Sequence, residues 1–264
     1  MSAPPKRLPI LGVAVEQVAR RALVVGDPDR VGEVARLLDD HDEVGRCREY
    51  VTVTGHYRGT PVTVASHGVG ASGAAVCFEE LARAGVTHLL RAGTCGGLQP
   101  RVQAGDLVVA IGAERDDGLT DRLAPPGWPA VADPALTRRL AEGGQASGHR
   151  THTGVVVTTA TFYPDPHESE PRWLRSQRLG ALAIEMELAA LLVVAHLHGI
   201  AAGGVLAVDG NLLTAAEDMS DYDPGRSVVA DAKAAMLRVA LDALVAGADP
   251  APPAAGPATG PAIT

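Results

Sequence analysis

Four short apolar runs in this chain each end in a loop built from Gly, Arg or Asp, and few architectures accommodate that arrangement. Arg21–Gly26 (RALVVG) leads into Gly26-Asp27-Pro28, and Pro61–Ser66 leads into His67 and then Gly68–Gly73. Val86–Leu90 leads into Arg91–Gly97, and Gly203–Val208 into Asp209-Gly210-Asn211. Helical spacing separates these runs over Asp29–Asp39, Ser72–Ala84, a long apolar stretch Ala181–His198 and a terminal segment from Arg226 to Val245. Further strands are expected at Asp106–Ala113 and Gly154–Thr159, with Tyr50–Thr54 and Pro61–Ser66 forming a hairpin across GHYRGT. Alternating strands and helices predict a single α/β domain with a mixed, largely parallel central sheet flanked by helices. Ligands of open α/β sheets bind beyond the carboxyl ends of the strands. The four special loops are therefore expected to form one site.

Composition narrows the function classes. The 264 residues carry a formal net charge of -8, so no net cationic field attracts nucleic acid or an anionic membrane. Only Lys6 and Lys233 are lysines; the other 21 of the 23 basic residues are Arg, the side chain that grips phosphate with two parallel hydrogen bonds. Cys47, Cys77 and Cys95 include no CxxC pair, which argues against a disulfide framework or a zinc site and for a reducing compartment. The start, MSAPPKRLPI, has no apolar stretch of the signal-peptide kind, so a cytoplasmic location is expected. Residues 1–247 are expected to form the domain. In 248–264, 13 of 17 residues are Ala, Pro or Gly, which reads as a disordered tail.

The motifs carry different weight. Gly68-Val69-Gly70-Ala71-Ser72-Gly73 fits GxGxxG, but the acid that would hold a dinucleotide ribose about 20 residues on is missing from His88–Gly93. A glycine turn that approaches another ligand, or a purely structural turn, competes with the nicotinamide reading. Arg91 at the end of a buried strand places a cation at the sheet edge, a costly arrangement unless an anion meets it. Thr94 and the glycine amides beside it add neutral donors; the bland alternative is a surface Arg paired with some carboxylate. Arg30 sits in the first turn of a helix, where the dipole disfavours a cation unless an anion is bound. Glu185 and Glu187 interrupt an apolar helix start on different sides, so one of them is expected to face a ligand. Asp209 ends a buried strand, a common position for a general acid.

Taken in order, GDPDR (26–30), Arg48-Glu49, HGVG (67–70), RAGTCGGL (91–98), Gly105-Asp106, TFYP (161–164), EME (185–187) and the Asp209 loop resemble the trimeric/hexameric nucleoside phosphorylases, over about Pro9 to Val245. That family includes uridine phosphorylase and bacterial purine nucleoside phosphorylase. The resemblance implies that nucleoside and inorganic phosphate give a free base and pentose-1-phosphate, with no metal and no organic cofactor. It implies that Gly26, Arg30, Arg91 and Thr94 hold phosphate, joined by Arg48 from a neighbouring subunit. Met186, by its backbone, and Glu187 would hold the ribose; Phe162, Gly96 and His167 would meet the base. Arg91 and Asp209 are the expected catalytic residues. The protein is then a homo-oligomer, a dimer at least and a hexamer by family habit.

Departures from the family pattern leave the base open. The Gln and Arg that uridine phosphorylases present to uracil are out of register here, where the chain reads Phe162-Tyr163-Pro164-Asp165-Pro166-His167-Glu168; His167, Glu168 and Arg172 are the substitutes at hand. TFYP and Pro129–Asp133 make a uridine-like substrate the first expectation; Asp209, which resembles the acid that protonates a purine leaving group, makes a purine nucleoside the alternative. A histidine that meets the ribose 5′-hydroxyl in the family is replaced by Ile10, which implies tolerance of a changed 5′ group. Some relatives bind a monovalent cation near Glu49, but Gly73 stands where their serine is expected, and no cation site is assigned. A nucleosidase using water and a non-catalytic nucleoside-binding protein are the competing classes; three phosphate-type arginines argue against the first, and Asp209 against the second.

Overall fold

The strands are β1 (Arg21–Val25), β2 (Asp40–Cys47), β3 (Tyr50–Tyr57), β4 (Thr60–Ser66), β5 (His88–Gly97), β6 (Leu107–Asp116), β7 (Ala130–Val131), β8 (Thr151–Thr159), β9 (Ala183–Glu185) and β10 (Ala201–Asn211). The helices are α1 (Pro28–Ala35), α2 (Ala71–Arg83), α3 (Thr120–Leu123), α4 (Pro134–Ala146), α5 (Trp173–Arg178), α6 (Leu188–His198) and α7 (Ser227–Val245). These come from a computed structural model that describes residues 6–163, 167, 170–214, 223 and 225–247. The expected tail at 248–264 lies outside the described residues.

All ten strands join one mixed sheet with helices on both faces. Half of its pairings are antiparallel, so the sheet is mixed as expected but not largely parallel. Five strands close on themselves: β10 pairs with β6, β6 with β8, β8 with β9, β9 with β5, and β5 with β10. From this ring the sheet continues through β1, β4, β3 and β2. The alternation within β1 divides the core, because Ala22 and Val24 pack on the α2 and α6 side while Leu23 and Val25 pack under α1 and α7.

Pro28 opens α1, with the Asp27 carboxylate accepting the Asp29 amide as its cap, and the helix stops at Ala35 instead of running to Asp39. Two loops expected beyond strand ends are strand. Arg91–Gly97 continues β5, because β10 pairs along its whole length and β9 joins at Gly96 and Gly97. Asp209 and Asn211 extend β10 through a bulge after Val208. Ala181–His198 is not one helix. Ala183–Glu185 is a strand held between β5 and β8, and α6 begins only at Leu188. Its apolar run is explained by burial on all sides: Leu188 to Ala195 are fully buried.

β10, β5, β1 and β4 are neighbours and mutually parallel, so the four loop regions singled out by sequence do share one edge. Arg91 lies level with Val24, the penultimate residue of β1. Beyond it β5 leaves β1 and curves into the ring. Arg91 is mid-strand for β5 yet stands where the sheet splits.

Candidate functional site

The ends of β1 and β4 are zipped together first. The His67 amide donates to Val25 O and the Gly68 amide to Gly26 O, at 2.9 and 3.0 Å. Gly26 lies against this turn: a Cβ there would be in ordinary contact with Gly68 O at 3.5 Å and the His67 ring at 3.7 Å. Gly68 and Gly70 both have positive φ, and Gly70 precedes α2.

Arg91 is the centre of this edge, fully buried and ringed by partners. Its Nε donates to Glu185 Oε2 at 3.1 Å, its Nη2 to Glu187 Oε2 at 2.5 Å, and its Nη1 to His67 Nε2 at 2.8 Å. The side chain folds back across Gly93, where a Cβ would stand 2.7 Å from Cζ and Nη2. Burial works against the guanidinium charge, and Glu187 and Glu185 more than offset it. Pairing with carboxylates, the bland alternative, is what the structure shows, but the ion pairs are buried at the sheet edge and not on the surface.

Glu185 and Glu187 do not diverge as a helix would make them. Glu185 closes β9, and its carboxylate accepts the amides of Glu187 and Leu188 at 2.9 Å, capping α6, while Thr158 Oγ1 donates to it from β8. Thr158 Oγ1 also accepts the Ala189 amide. Glu187, just before α6, bridges Arg91 and the Gly70 amide at the start of α2. Burial pushes the Glu187 carboxyl up; Arg91 opposes this and Glu185 adds to it. The expected placement of the two carboxylates on different sides of one helix is corrected: both converge on Arg91.

Arg30 contrasts with Arg91. It is half-buried in the first turn of α1, and its guanidinium makes no hydrogen bond or ion pair among the described residues. Burial lowers its pKa; Asp27 counters this, and Arg91 lowers it further. Asp209 also acts on Arg30 and on the buried Cys95 thiol, so β10 brings its carboxyl to the same region. Asp209 is 6% exposed, and Arg226 Nη2 donates to its backbone carbonyl at 2.6 Å.

The other expected residues are spread around this cluster. Thr94 is partly exposed, with its hydroxyl unpaired among the described residues. Gly96 is overlain by Leu212, whose Cδ1 fills the place of a Cβ, with Ile184 alongside. Phe162 is half exposed and meets Tyr163 edge-on, with ring centroids 5.1 Å apart. His167 is exposed, Met186 is partly buried, and Glu168 falls outside the described residues. Arg48 is exposed at the tip of the β2–β3 hairpin with φ 56°, and its neighbour Glu49 packs over Gly68. Among the described residues no group of three or more His, Cys, Asp or Glu is arranged to hold a metal ion.

Sequence reasoning misses His67 and Gly93 as site residues, although both lie inside quoted motifs. Replacing Gly93 with Ala is expected to push the guanidinium out of its three-way grip and cost about 1–3 kcal/mol by overpacking. Thermal melting and the phosphate dependence of turnover check this; unchanged kinetics in the Gly93→Ala variant would contradict the close approach. His67 carries a pH signature as well. Burial, reinforced by Arg91, holds its pKa well below the ordinary 6.5. Below that pH the unfolded chain takes up a proton that the folded site refuses, so stability is lost as pH falls. His67→Gln should therefore lose less melting temperature than the wild type between about pH 7 and pH 5.5; equal losses would contradict the burial.

Residues 20–246 match the phosphorylase superfamily. A guanosine phosphorylase of Halorubrum lacusprofundi is 38% identical over 215 residues, covering 81% of this chain and 88% of its own. A uridine phosphorylase of Thermococcus kodakarensis is 36% identical, covering 75% of each chain. The crystal structure of purine nucleoside phosphorylase from Toxoplasma gondii superimposes with a TM-score of 0.84 at 33% identity, over 92% of this chain and 97% of that one. With that match to the bulk of its length, and with nucleoside phosphorylases as its relatives in both sequence and structure, the chain belongs to the phosphorylase superfamily.

Proposed function

We propose that the protein is a nucleoside phosphorylase, transferring a pentosyl group from a nucleoside base to inorganic phosphate. The observation that carries this is the pairing of Arg91 at the sheet split with Arg30, a half-buried cation that has no ion-pair partner among the described residues. Arg30 has its charge uncommitted among the described residues, and Arg91 keeps N–H groups beyond its three partners, so both can give charge-assisted hydrogen bonds to an anion. Gly26 lets that anion approach the backbone, Thr94 adds a hydroxyl, and Arg48 completes the site from a neighbouring copy. Glu187, with the Met186 backbone, holds the ribose hydroxyls. As the C1′–N bond breaks, positive charge grows on the sugar; the fixed phosphate stabilises it and bonds to C1′, while the bonding pair leaves with the base. The site needs no organic cofactor or metal; phosphate is the co-substrate.

A purine is the base favoured here, because a buried carboxyl at Asp209 serves a leaving group that accepts a proton and opposes one that departs as an anion. A uridine-like base is the second reading, favoured by the uridine phosphorylase relatives and the aromatic pair Phe162–Tyr163. His167 and Gly96 are the remaining candidates for base contact. Ile10, partly buried and packed on the core, offers the sugar no side-chain hydrogen bond, so 5′-deoxy nucleosides should be accepted. The exposed Arg48 hairpin fits a homo-oligomer, a dimer at least and a hexamer by analogy, working in the cytoplasm. A panel of inosine, guanosine, adenosine, uridine, thymidine and 5′-deoxy analogues, each with phosphate, tests the reading. Faster turnover of purines, with the 5′-deoxy forms within about threefold of their parents, is the expected result. Turnover of uridine alone would favour the second reading, and a strong demand for the 5′-hydroxyl would remove the Ile10 argument.

A further inference from the structure

We propose that His67 is a positioning residue for phosphate capture: its imidazole holds the Arg91 guanidinium in the orientation that leaves two N–H groups for the oxyanion. The inference rests on the assignment of Arg91 to phosphate. A guanidinium has five N–H donors, and three of them are spoken for by Glu185, Glu187 and His67. Since Arg91 only donates, His67 Nε2 must be an acceptor, and the ring proton sits on Nδ1, donated to Gly68 O at 2.8 Å. The ring is completely buried and lies edge-on to Phe78, with centroids 5.4 Å apart. Packing and two hydrogen bonds thus fix its plane.

The choice of histidine has an electrostatic reason. Arg91 with Glu185 and Glu187 already sums to one negative charge, and a third carboxylate on Nη1 would repel the incoming anion. An apolar residue would leave a buried charged donor unmet. A neutral acceptor avoids both, and His67 is bonded at both nitrogens so as to be one. Its second bond runs to Gly68 O, on the turn that also approaches Gly26. The ring therefore ties the position of Arg91 to the backbone that would receive the phosphate.

Kinetics with phosphate varied at saturating nucleoside, and the reverse, test this on His67→Leu and His67→Gln. Gln retains an acceptor for Nη1 and a donor for Gly68 O; Leu retains neither. For His67→Leu the phosphate KM is expected to rise about tenfold or more while the nucleoside KM moves less than about threefold, and Gln should recover most of the loss. A folded Leu variant with wild-type phosphate KM, or with both KM values rising together, would overturn the proposal. If the Leu variant does not fold, Gln is compared with the shorter Asn, which does not span to Nη1; a raised phosphate KM in Asn alone supports the proposal, and equal behaviour overturns it. Arg91→Ala in the same assay separates the two levels. Unchanged phosphate kinetics there would remove the phosphate reading itself, whereas loss there beside an unaffected His67→Leu removes only the role of His67.

Discussion

Arg91→Ala is expected to lower kcat/KM for phosphate by about 10²–10³-fold, the scale for removing one fixed donor to developing charge. The same substitution strips two buried carboxylates of their counter-ion, and breaking a buried pair from one side costs about 3–5 kcal/mol. The variant is thus a poor probe of activity unless its stability is measured beside it. Adding Glu187→Gln should restore part of the lost melting temperature, because it removes one uncompensated charge, without restoring phosphate saturation. The combination separates the two roles of the guanidinium: core electrostatics, which the second substitution relieves, and anion binding, which it does not. Recovery of both together would mean that Arg91 acts only through the fold.

Asp209→Asn is expected to slow purine nucleosides by about 10²–10⁴-fold, the range for losing a positioned general acid. The amide keeps the size of the side chain and removes the transferable proton. A nucleoside already methylated at purine N7 carries the positive charge that protonation would supply, so its turnover should change far less. Rates with inosine and with a 7-methylated purine nucleoside, measured on both proteins, give a direct contrast. Equal losses on the two substrates would point to a structural role for Asp209, which sits in the bulge of β10 where its backbone carbonyl also anchors Arg226.

Much of this site was legible in the sequence because glycine and charged residues fall at regular places relative to β-branched runs. The edge shared by Gly26, His67–Gly70, Arg91 and Asp209 followed from that pattern and from the parallel order of four strands. What stayed hidden depends on pairing between distant segments. Nothing local marks Ala183–Glu185 as a strand inside an apolar run; it is one because Gly96 and Gly97 of β5 pair beside it. That single change turns Glu185 and Glu187 from residues on opposite helix sides into two ligands of one guanidinium. β2, with the polar sequence DHDEVGRC, has no apolar alternation and exists as the edge partner of β3. His67 read as part of a glycine turn, since only the folded chain reveals that its second nitrogen meets Arg91.

Phosphate dependence of base release is the most direct test of the proposed reaction. A purine nucleoside incubated with the wild-type protein should release base only when phosphate is present, with one pentose-1-phosphate formed for each base. Release at the same rate without phosphate, yielding free pentose, would contradict it.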